Sequence, residues 1–264
     1  MQEATANINF FTVMNIKVAA IQIADLCEIA SQWITSGATA KSVTFTGMHG
    51  VMESRDNPEA MAAHHDADLV VCDGMPLVWL GRLYGFAAMR RRVYGPEFMR
   101  TFCARTTNQF THFFLGGSPE TLERLRTTFA REFSLKVTGM YSPPFKPWTP
   151  EDISEMAKKI SDSGSKVVWI GVGCPKQEIL AMRLKPLLPD GTVLLGVGAA
   201  FDFNSGQKTM APKFMRESGL EWAYRLATEP RRLWRRYLEL GSKFIFHALR
   251  EYRLSKRTRG DSVS

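Results

Sequence analysis

A glycine-rich turn between Gly171 and Gln177 carries residue types that can bind a phosphate. An apolar run precedes it and an amphipathic stretch follows it, which predicts strand, turn and helix in that order. Gly171 and Gly173 let the backbone turn tightly and approach a ligand. The N–H groups and positive dipole end of the helix, with Lys176 and Gln177 beside them, suit a phosphate. The turn therefore predicts a phosphate site, with an ordinary strand-to-helix connection as the alternative.

Asp73 is the candidate general base, because it ends another apolar strand and precedes a glycine. A carboxylate in that position can accept a proton from a hydroxyl group. The alternative is that Asp73 caps the helix that begins near Pro76. His49 lies in a glycine-flanked turn after a third strand and is a second candidate for proton transfer, although a lone histidine is more often structural.

Other polar side chains could contact a nucleotide. Asp202 follows a glycine turn and could accept a hydrogen bond from a ribose hydroxyl or a base, or could cap the next segment. Tyr141 could stack on a base or pack in the core. Three arginines could bind a diphosphate through paired N–H groups or form a solvated basic face, namely Arg225, Arg232 and Arg235.

The turn at Gly116 and Gly117 repeats the order strand, glycines, proline and helix, so it is a further candidate for ligand contact. Its spacing, like that of Gly171 and Gly173, resembles a dinucleotide site. Neither turn completes a GxGxxG pattern with an acidic residue about 20 positions further on. A nicotinamide-dependent oxidoreductase is therefore a rival interpretation, which NAD(H) binding would test.

The elements that must position these residues alternate between strand and helix along residues 1–206. This predicts an α/β catalytic domain with a Rossmann-like, mostly parallel sheet and helices on both faces. Strands are predicted at 11–16, 42–46, 69–73, 110–115, 135–138, 166–170 and 193–195. Ligands bind at the carboxyl ends of parallel strands. The turns after these strands should therefore line one edge of the sheet, called here the carboxyl edge.

The C-terminal part of the chain is strongly basic. Residues 207–260 contain 14 Lys or Arg and five Glu, whereas residues 1–206 contain 20 basic and 20 acidic residues. Residues 207–254 are predicted to form a basic helical appendage, and residues 255–264 a disordered tail. Its apolar stripe could lie in the interface of an anionic membrane or pack on the domain. Nucleic-acid binding by these helices is a second rival interpretation.

Metal and cofactor signals are weak. The four cysteines lack metal-ligand spacing, and free thiols fit a reducing cytoplasm. An Asp-x-Asp triplet lies within residues 64–68, but it precedes a strand and is interpreted as a solvated turn. No metal ion and no organic cofactor are expected. No apolar run approaches the roughly 20 residues of a membrane span.

These stretches together resemble the WecG/TagA/CpsF glycosyltransferases, glycosyltransferase family 26. The similarity extends from about Thr44 to Arg250 and rests on several separate segments, any one of which would be weak alone. These segments are 67–70, 73–74, 92–95, 114–117, 171–178, 196–202, 211–212 and 219–237.

The resemblance implies inverting transfer of a sugar from a UDP-sugar to a polyprenyl-diphosphate-linked saccharide. The reaction would take place on the inner face of the bacterial plasma membrane, to which the appendage docks, with assembly into a homo-oligomer left open. Asp73 would be the general base. The other implied contacts are Gln177 and Arg92 near the donor sugar and diphosphate, Asp202 and Tyr141 at the nucleoside, and Arg225, Arg232 and Arg235 over the phosphates.

One segment departs from the family pattern. Many members carry Thr-x-Asn after the first core strand, whereas this chain reads Thr44-Phe45-Thr46-Gly47, with His49 nearby. The variant resembles an exopolysaccharide-type member, in which a hexose such as glucose, rather than N-acetylmannosamine or its uronate, would be transferred. Without a metal motif, helix N-termini and arginines would stabilise the leaving UDP.

Overall fold

The computed structural model describes the backbone of residues 8–260, and all side chains in that range except those of residues 232, 236 and 255–260. Its centre is one sheet of eight strands. The strands are β1 (Phe10–Val13), β2 (Ile16–Ala19), β3 (Lys41–Thr46), β4 (Leu69–Cys72), β5 (Thr111–Gly116), β6 (Lys136–Tyr141), β7 (Val167–Gly171) and β8 (Val193–Gly196).

The helices cover both faces of the sheet, as predicted. The α-helices are α1 (Ile23–Thr35), α2 (Met48–Asp56), α3 (Pro58–Asp66), α4 (Met75–Leu83), α5 (Gly95–Arg105), α6 (Pro119–Phe133), α7 (Pro150–Asp162), α8 (Lys176–Leu184), α9 (Ala200–Asn204), α10 (Lys213–Ser218), α11 (Glu221–Thr228), α12 (Pro230–Trp234) and α13 (Leu240–Gly260). A 3₁₀ turn spans Lys185–Leu187 and a π-helical turn spans Arg235–Glu239.

The sheet is parallel except at one edge. Its order is β1-β2-β4-β3-β8-β7-β5-β6, with only β1 and β2 antiparallel. Successive side chains of the central strands alternate between two layers, because a strand has a period of two residues. Phe114 and Trp169 lie in the layer with α1, α5, α6 and α9, whereas Phe113 and Val168 lie with α7 and α8. The α/β prediction is therefore confirmed.

The N-terminal strand prediction was incomplete. One strand was expected at residues 11–16, but the structure contains a hairpin of β1 and β2. Met14 and Asn15 form its turn with positive φ angles of 47° and 65°. A two-residue turn of this kind matches the twist of the flanking strands, and Asn tolerates the left-handed region. The other predicted strands agree with the observed ones to within three residues at each end.

The C-terminal helices divide their apolar residues between two surfaces. Phe244 and Ala248 of α13 are buried in a cluster with Val51 and Met52 of α2. Leu238, Ile245 and other apolar side chains of the same region are exposed. Packing on the domain, one of the two interpretations of the stripe, therefore accounts for only part of it. Within the described part of the chain, no helix combines the length and apolar character that crossing a membrane requires.

The structure near the end of the chain can be compared with the disordered tail predicted for residues 255–264. Helix α13 continues to Gly260, through the first residues of the segment that was predicted to be disordered. Residues 261–264 lie outside the described residues. The division of the chain at residues 206 and 254 stays a prediction.

The contact between the turns after β5 and β7 predicts a stability difference between two glycine substitutions. Gly116 has a φ of +112°, and a β-carbon there would lie 2.8 Å from the carbonyl carbon of Gly171. Gly85 has a φ of +103°, but nothing lies within 4 Å. We expect Gly85→Ala to lower the free energy of unfolding by about 1 kcal/mol through backbone strain. Gly116→Ala should cost about 1–3 kcal/mol more through overpacking.

Urea denaturation of both variants and the parent chain measures this difference. Gly85→Ala is the matched control, because it introduces the same methyl group at a comparable φ angle without a neighbouring atom. Equal losses in the two variants would contradict close packing between the two turns.

Candidate active site

A cavity of about 360 Å³ opens at the carboxyl edge of the sheet. The turns after four neighbouring strands, β4, β3, β8 and β7, form it together with α9 and α11. This is the position at which parallel α/β sheets bind ligands. Six of the residues singled out from the sequence line the cavity together: Asp73, Gly171, Gly173, Gln177, Asp202 and Arg225.

Asp73 is held at the end of β4 by backbone contacts. Its N–H donates to the Thr46 carbonyl at 2.8 Å, and its Oδ1 accepts from the Gly95 N–H at 2.9 Å. The helix that follows, α4, has Gly74 at its N-cap and no side-chain cap. Asp73 therefore does not cap α4, the alternative considered from the sequence. Its carboxylate instead satisfies the first N–H of α5 and faces the cavity wall.

Arg92, Glu221 and Tyr94 form a buried network behind Asp73. Glu221 accepts from the Arg92 guanidinium and, at 3.2 Å, from the Tyr94 hydroxyl. Arg92 also donates to the Asp73 carbonyl at 3.3 Å, and its guanidinium lies 3.9 Å from the centroid of the Tyr94 ring. Sequence reasoning identified Arg92 but missed Glu221 and Tyr94. A buried acidic residue among apolar ones in α11 was the available signal for Glu221.

The charges around Asp73 have opposite effects on the pKa of its carboxyl group. Burial raises the pKa of the Asp73 carboxyl above its usual value, and the Glu221 charge raises it further. The Arg92 charge, the Gly95 N–H and the Arg225 charge each lower the pKa of Asp73, but do not cancel the effect of burial. A carboxylate with a raised pKa is a stronger base near neutral pH, which is what proton removal from a hydroxyl group requires.

Gln177 lines the cavity with a side-chain amide that is held in place. Its Nε2 donates to the Gly196 carbonyl at 2.6 Å and to Glu178 Oε1 at 3.2 Å. These two acceptors fix the orientation of the amide group. Gln177 Oε1 is buried and has no hydrogen-bond partner among the described residues. It is therefore an acceptor that a ligand hydroxyl or N–H could satisfy.

The start of α8 differs from the phosphate site that the sequence predicted. The Gln177 N–H donates to the Gly173 carbonyl at 2.9 Å, so it is already engaged. Buried Glu178 accepts from its own N–H and from the Gln177 side chain. Burial raises the pKa of Glu178 to about 7, although these hydrogen bonds and one from the Cys174 thiol lower it. A carboxyl group already lies at this helix N-terminus, which disfavours a phosphate there.

Arg225 is the cation that reaches the cavity from the C-terminal helices. It lies on α11, with its guanidinium carbon 5.6 Å from the centroid of the Phe203 ring. Its buried Nε has no hydrogen-bond partner among the described residues. Asp202, on the opposite part of the wall, is 2.9 Å from Lys208 Nζ, which also reaches Glu229 at 3.7 Å. Arg225 is thus available to an anion, whereas Asp202 already has a partner.

Several residues proposed from the sequence do not line the cavity. Gly116 and Gly117 have positive φ angles. Gly116 lies close to Gly171 and Val172, and Gly117 lies close to side chains of α6 and α9. Tyr141 lies beneath Lys159, whose Nζ is 5.1 Å from the ring centroid. Lys176 lies over the ring of Phe145 at a separate surface groove.

The remaining candidates lie further out. His49, on α2, has its Nε2 3.8 Å from Glu53 Oε1, and the cavity wall includes its neighbours Gly47 and Gly50 but not His49 itself. Arg235 is exposed and stacks near Trp234 at 5.3 Å. The Arg232 side chain lies outside the described residues.

The expected solvated turn at residues 64–68 is wrong for His64. This side chain is buried, and its Nε2 lies 3.2 Å from the Thr46 hydroxyl, which lines the cavity. Burial lowers the pKa of His64, which favours the neutral ring. Asp68 binds the Lys41 ammonium at 2.8 Å, so the triplet serves packing between β3 and β4. No group of three His, Cys, Asp or Glu side chains placed to hold a metal ion occurs among the described residues.

Comparison with known protein families accounts for this arrangement. The model of the glycosyl transferase WecG/TagA/CpsF family matches residues 11–259, nearly the whole chain. The chain belongs to the WecG/TagA/CpsF family. The resemblance seen in the sequence is therefore confirmed, and the family implies a glycosyltransferase in cell-surface polysaccharide synthesis. Asp73 and Arg225 therefore line one cavity in a member of a glycosyltransferase family.

The buried pair in this WecG/TagA/CpsF chain predicts strong coupling between two substitutions. The side chains of Arg92 and Glu221 are 13% and 8% exposed. Removing either partner leaves the other charge buried, which is strongly destabilising. We expect Arg92→Met and Glu221→Gln each to lower the free energy of unfolding, and the double variant to lose less than the sum by about 1–3 kcal/mol.

A double-mutant cycle in urea measures this coupling. The matched control is the exposed pair Arg126 and Glu123 on α6, changed in the same way, which should show no measurable coupling. Additive losses at Arg92 and Glu221 would contradict a buried pair that joins α11 to the segment before α5.

The raised pKa of Asp73 predicts a pH-dependent gain of stability in Asp73→Asn. Folded Asp73 keeps its proton to a higher pH than it does in the unfolded chain, so the parent chain loses stability as pH rises above about 4, the usual carboxyl pKa. Asn mimics the protonated form and avoids this loss. We expect Asp73→Asn to be the more stable variant at neutral pH and the two proteins to converge in acid.

Urea unfolding at a series of pH values between about 4 and 8 measures the difference. A variant that is less stable than the parent chain at neutral pH would show that Asp73 mainly stabilises the fold.

Proposed function

We propose that this family member is an inverting transferase that moves a sugar from a UDP-sugar to a hydroxyl group of a polyprenyl-diphosphate-linked saccharide. The observation that carries the proposal is the placement of Asp73 and Arg225 in one cavity at the carboxyl edge. A half-buried carboxyl group with a raised pKa is the base that such a transfer needs. An arginine whose Nε has no hydrogen-bond partner among the described residues is a suitable phosphate ligand.

The chemical step begins at the acceptor hydroxyl. The Asp73 carboxylate removes its proton as the oxygen attacks the anomeric carbon of the donor. The bond from that carbon to the UDP oxygen breaks on the opposite side, and UDP leaves with the electron pair. Asp73 retains the proton, and the anomeric configuration is inverted. The hydrogen bond from the Gly95 N–H keeps Oδ1 in place during the step.

The leaving diphosphate requires compensation of its negative charge. Arg225 can donate charged hydrogen bonds to it, and these are stronger than neutral ones. The start of α8 is less suited to this task than the sequence suggested, because Glu178 lies there. We therefore assign binding of the UDP diphosphate to Arg225. The proposed mechanism requires no metal ion.

The donor is held by the remaining wall of the cavity. Gln177 Oε1 can accept a hydrogen bond from a sugar hydroxyl, and Asp202 can accept one from the nucleoside. The segment after β3 lacks the Asn of many family members, and His49 lies nearby in the sequence. A hexose such as glucose is the donor sugar that we propose on this basis, with an N-acetylhexosamine as the alternative.

Membrane contact is proposed for the C-terminal helices. Six apolar side chains between residues 234 and 254 are at least 45% exposed: Trp234, Leu238, Ile245, Phe246, Leu249 and Leu254. Exposed basic residues lie among them, including Arg231, Lys243 and Arg250. Aromatic and aliphatic side chains flanked by cations suit the interface of an anionic bilayer. A peripheral position on the inner face of the plasma membrane would bring Asp73 to a lipid-linked acceptor.

Calorimetric titration with UDP in excess EDTA, with NADH as the comparison ligand, tests the donor class. We expect selective UDP binding, and a UDP affinity that Arg225→Gln lowers by about tenfold, the effect of one lost charged hydrogen bond. NADH binding without UDP binding would contradict the proposal. Turnover lost in EDTA and restored only by a divalent cation would contradict the metal-independent mechanism.

Turnover of Asp73→Asn with UDP-sugars and a polyprenyl-diphosphate-linked saccharide tests the base. We expect a loss on the order of 100-fold or more, with the UDP affinity retained. Asp162→Asn, at the exposed end of α7, is the matched control and should keep the parent turnover. Parent-like turnover in Asp73→Asn would exclude Asp73 as the base.

A further inference from the structure

A second cavity, of about 450 Å³, adjoins the active-site cavity. The two share Tyr94, Pro96 and Phe203 as wall residues, so they lie on either side of the same side chains. The second cavity lies between α5 and α10, and its volume falls within the range of small-molecule sites. None of the candidate ligand contacts discussed above, apart from Arg92, lines it.

The wall of this second cavity is cationic. Five basic side chains line it, against two carboxylates, Glu97 and Glu217. The five are Arg91, Arg92, Arg100, Lys213 and Arg216. A concave wall with an excess of one charge attracts ligands of the opposite charge.

Existing contacts leave part of this charge available. Arg91 pairs with Glu217, and Arg92 with Glu221. Lys213 Nζ, on a side chain that is 77% exposed, reaches Glu217 only at 3.9 Å, and Arg216 Nε donates to the Ala211 carbonyl at 3.0 Å. The remaining N–H groups of Lys213 and Arg216 suit an anion with several oxygen atoms, such as a diphosphate.

An exposed apolar margin adjoins the cationic wall. Met75 lines the cavity, and Trp79 lies one turn further along α4, with its ring packed on Gly219 at the end of α10. Phe214 directly follows Lys213. Trp79 and Phe214 are 48% and 68% exposed. Leu220, which follows Gly219 in the chain, and Trp222 are 46% and 43% exposed. Large apolar side chains this exposed mark a binding surface when they lie together.

We propose that the second cavity binds the diphosphate of a prenyl-diphosphate-linked acceptor, whose prenyl chain leaves across Trp79 and Phe214. The acceptor saccharide would then pass Tyr94 and Phe203 and present its hydroxyl group to Asp73. The assignment rests on the proposed function for the identity of the acceptor. It separates two diphosphates in space, with the donor's at Arg225 and the acceptor's at Lys213 and Arg216.

The combination of features selects this ligand chemistry. A free phosphate or a nucleotide uses the cations but leaves the apolar margin without a role. A bilayer headgroup uses both, but it leaves the wall shared with the active-site cavity without a role. A prenyl diphosphate carries the anion, the apolar chain and the attached sugar in one molecule, and each part matches one part of the surface.

Farnesyl diphosphate binding to the full-length chain, measured by calorimetry with saturating UDP present, tests the proposal. We expect binding in the presence of UDP, and an affinity that Lys213→Gln/Arg216→Gln lowers by about tenfold or more through lost charged hydrogen bonds. The UDP affinity of this double variant should stay within about twofold of the parent value. Lys213→Gln alone, at an exposed side chain, should show a smaller loss and guards against misfolding of the double variant.

The matched control is Arg126→Gln/Lys158→Gln, which removes the same charge from exposed positions of α6 and α7. An equal loss in this control would show that net charge alone is responsible and would overturn the proposal. Competition between farnesyl diphosphate and UDP would also overturn it, because both would then occupy the donor cavity. Inorganic pyrophosphate that binds as tightly as farnesyl diphosphate would exclude a role for the prenyl chain.

Phosphatidylglycerol vesicles distinguish a lipid headgroup from the proposed ligand. Equal vesicle binding by the two double variants supports the assignment, whereas a selective loss in Lys213→Gln/Arg216→Gln would identify a headgroup site and overturn it. The failure of this proposal is separable from failure of the proposed function. UDP-sugar turnover that persists without farnesyl diphosphate binding removes only the acceptor site, whereas absent UDP binding removes the proposed function itself.

Discussion

The buried ion pair between Arg92 and Glu221 is the contact on which the site depends. It joins the segment before α5 to α11, residues 129 positions apart in the chain. Arg92 also binds the carbonyl of Asp73, so the same guanidinium supports the end of β4. If Glu221 were absent, the Arg92 charge would act on Asp73 alone and lower its pKa. The pair therefore combines two effects: it attaches the C-terminal helices and preserves the basicity of the carboxylate.

The fold was largely predictable because its signals are local. Continuous apolar runs marked the buried parallel strands, and the Asp-Gly and glycine turns marked their carboxyl ends. Asp73 could therefore be placed at the carboxyl edge from its position alone. The hairpin of β1 and β2 was missed because its turn, Met14 and Asn15, lacks the usual glycine. Helix α9 was missed because five residues are too few to show helical periodicity.

The site was less predictable because its decisive contacts are distant in sequence. No local pattern shows that Glu221 binds Arg92 or that the His64 ring lies next to the Thr46 hydroxyl. Nor does any pattern show that the Glu178 carboxylate accepts a hydrogen bond from its own backbone N–H. Glycine spacing was also ambiguous. It indicates that the backbone adopts an unusual conformation at a position, but not why it does so. Gly173 lines the cavity, whereas Gly116 has its positive φ where two turns pack together. Glycine is required both where the backbone approaches a ligand and where it approaches another stretch of backbone, so the sequence does not distinguish the two situations.

The C-terminal helices contribute to both cavities, so the proposed membrane contact and the proposed chemistry would involve the same helices. Arg225 of α11 reaches the active-site cavity, while Lys213 and Arg216 of α10 line the adjoining one. Trp222 follows Glu221 directly, so an exposed aromatic ring and the buried carboxylate share one turn of α11. A ligand at the apolar margin would therefore contact the same short helix that holds Glu221 against Arg92.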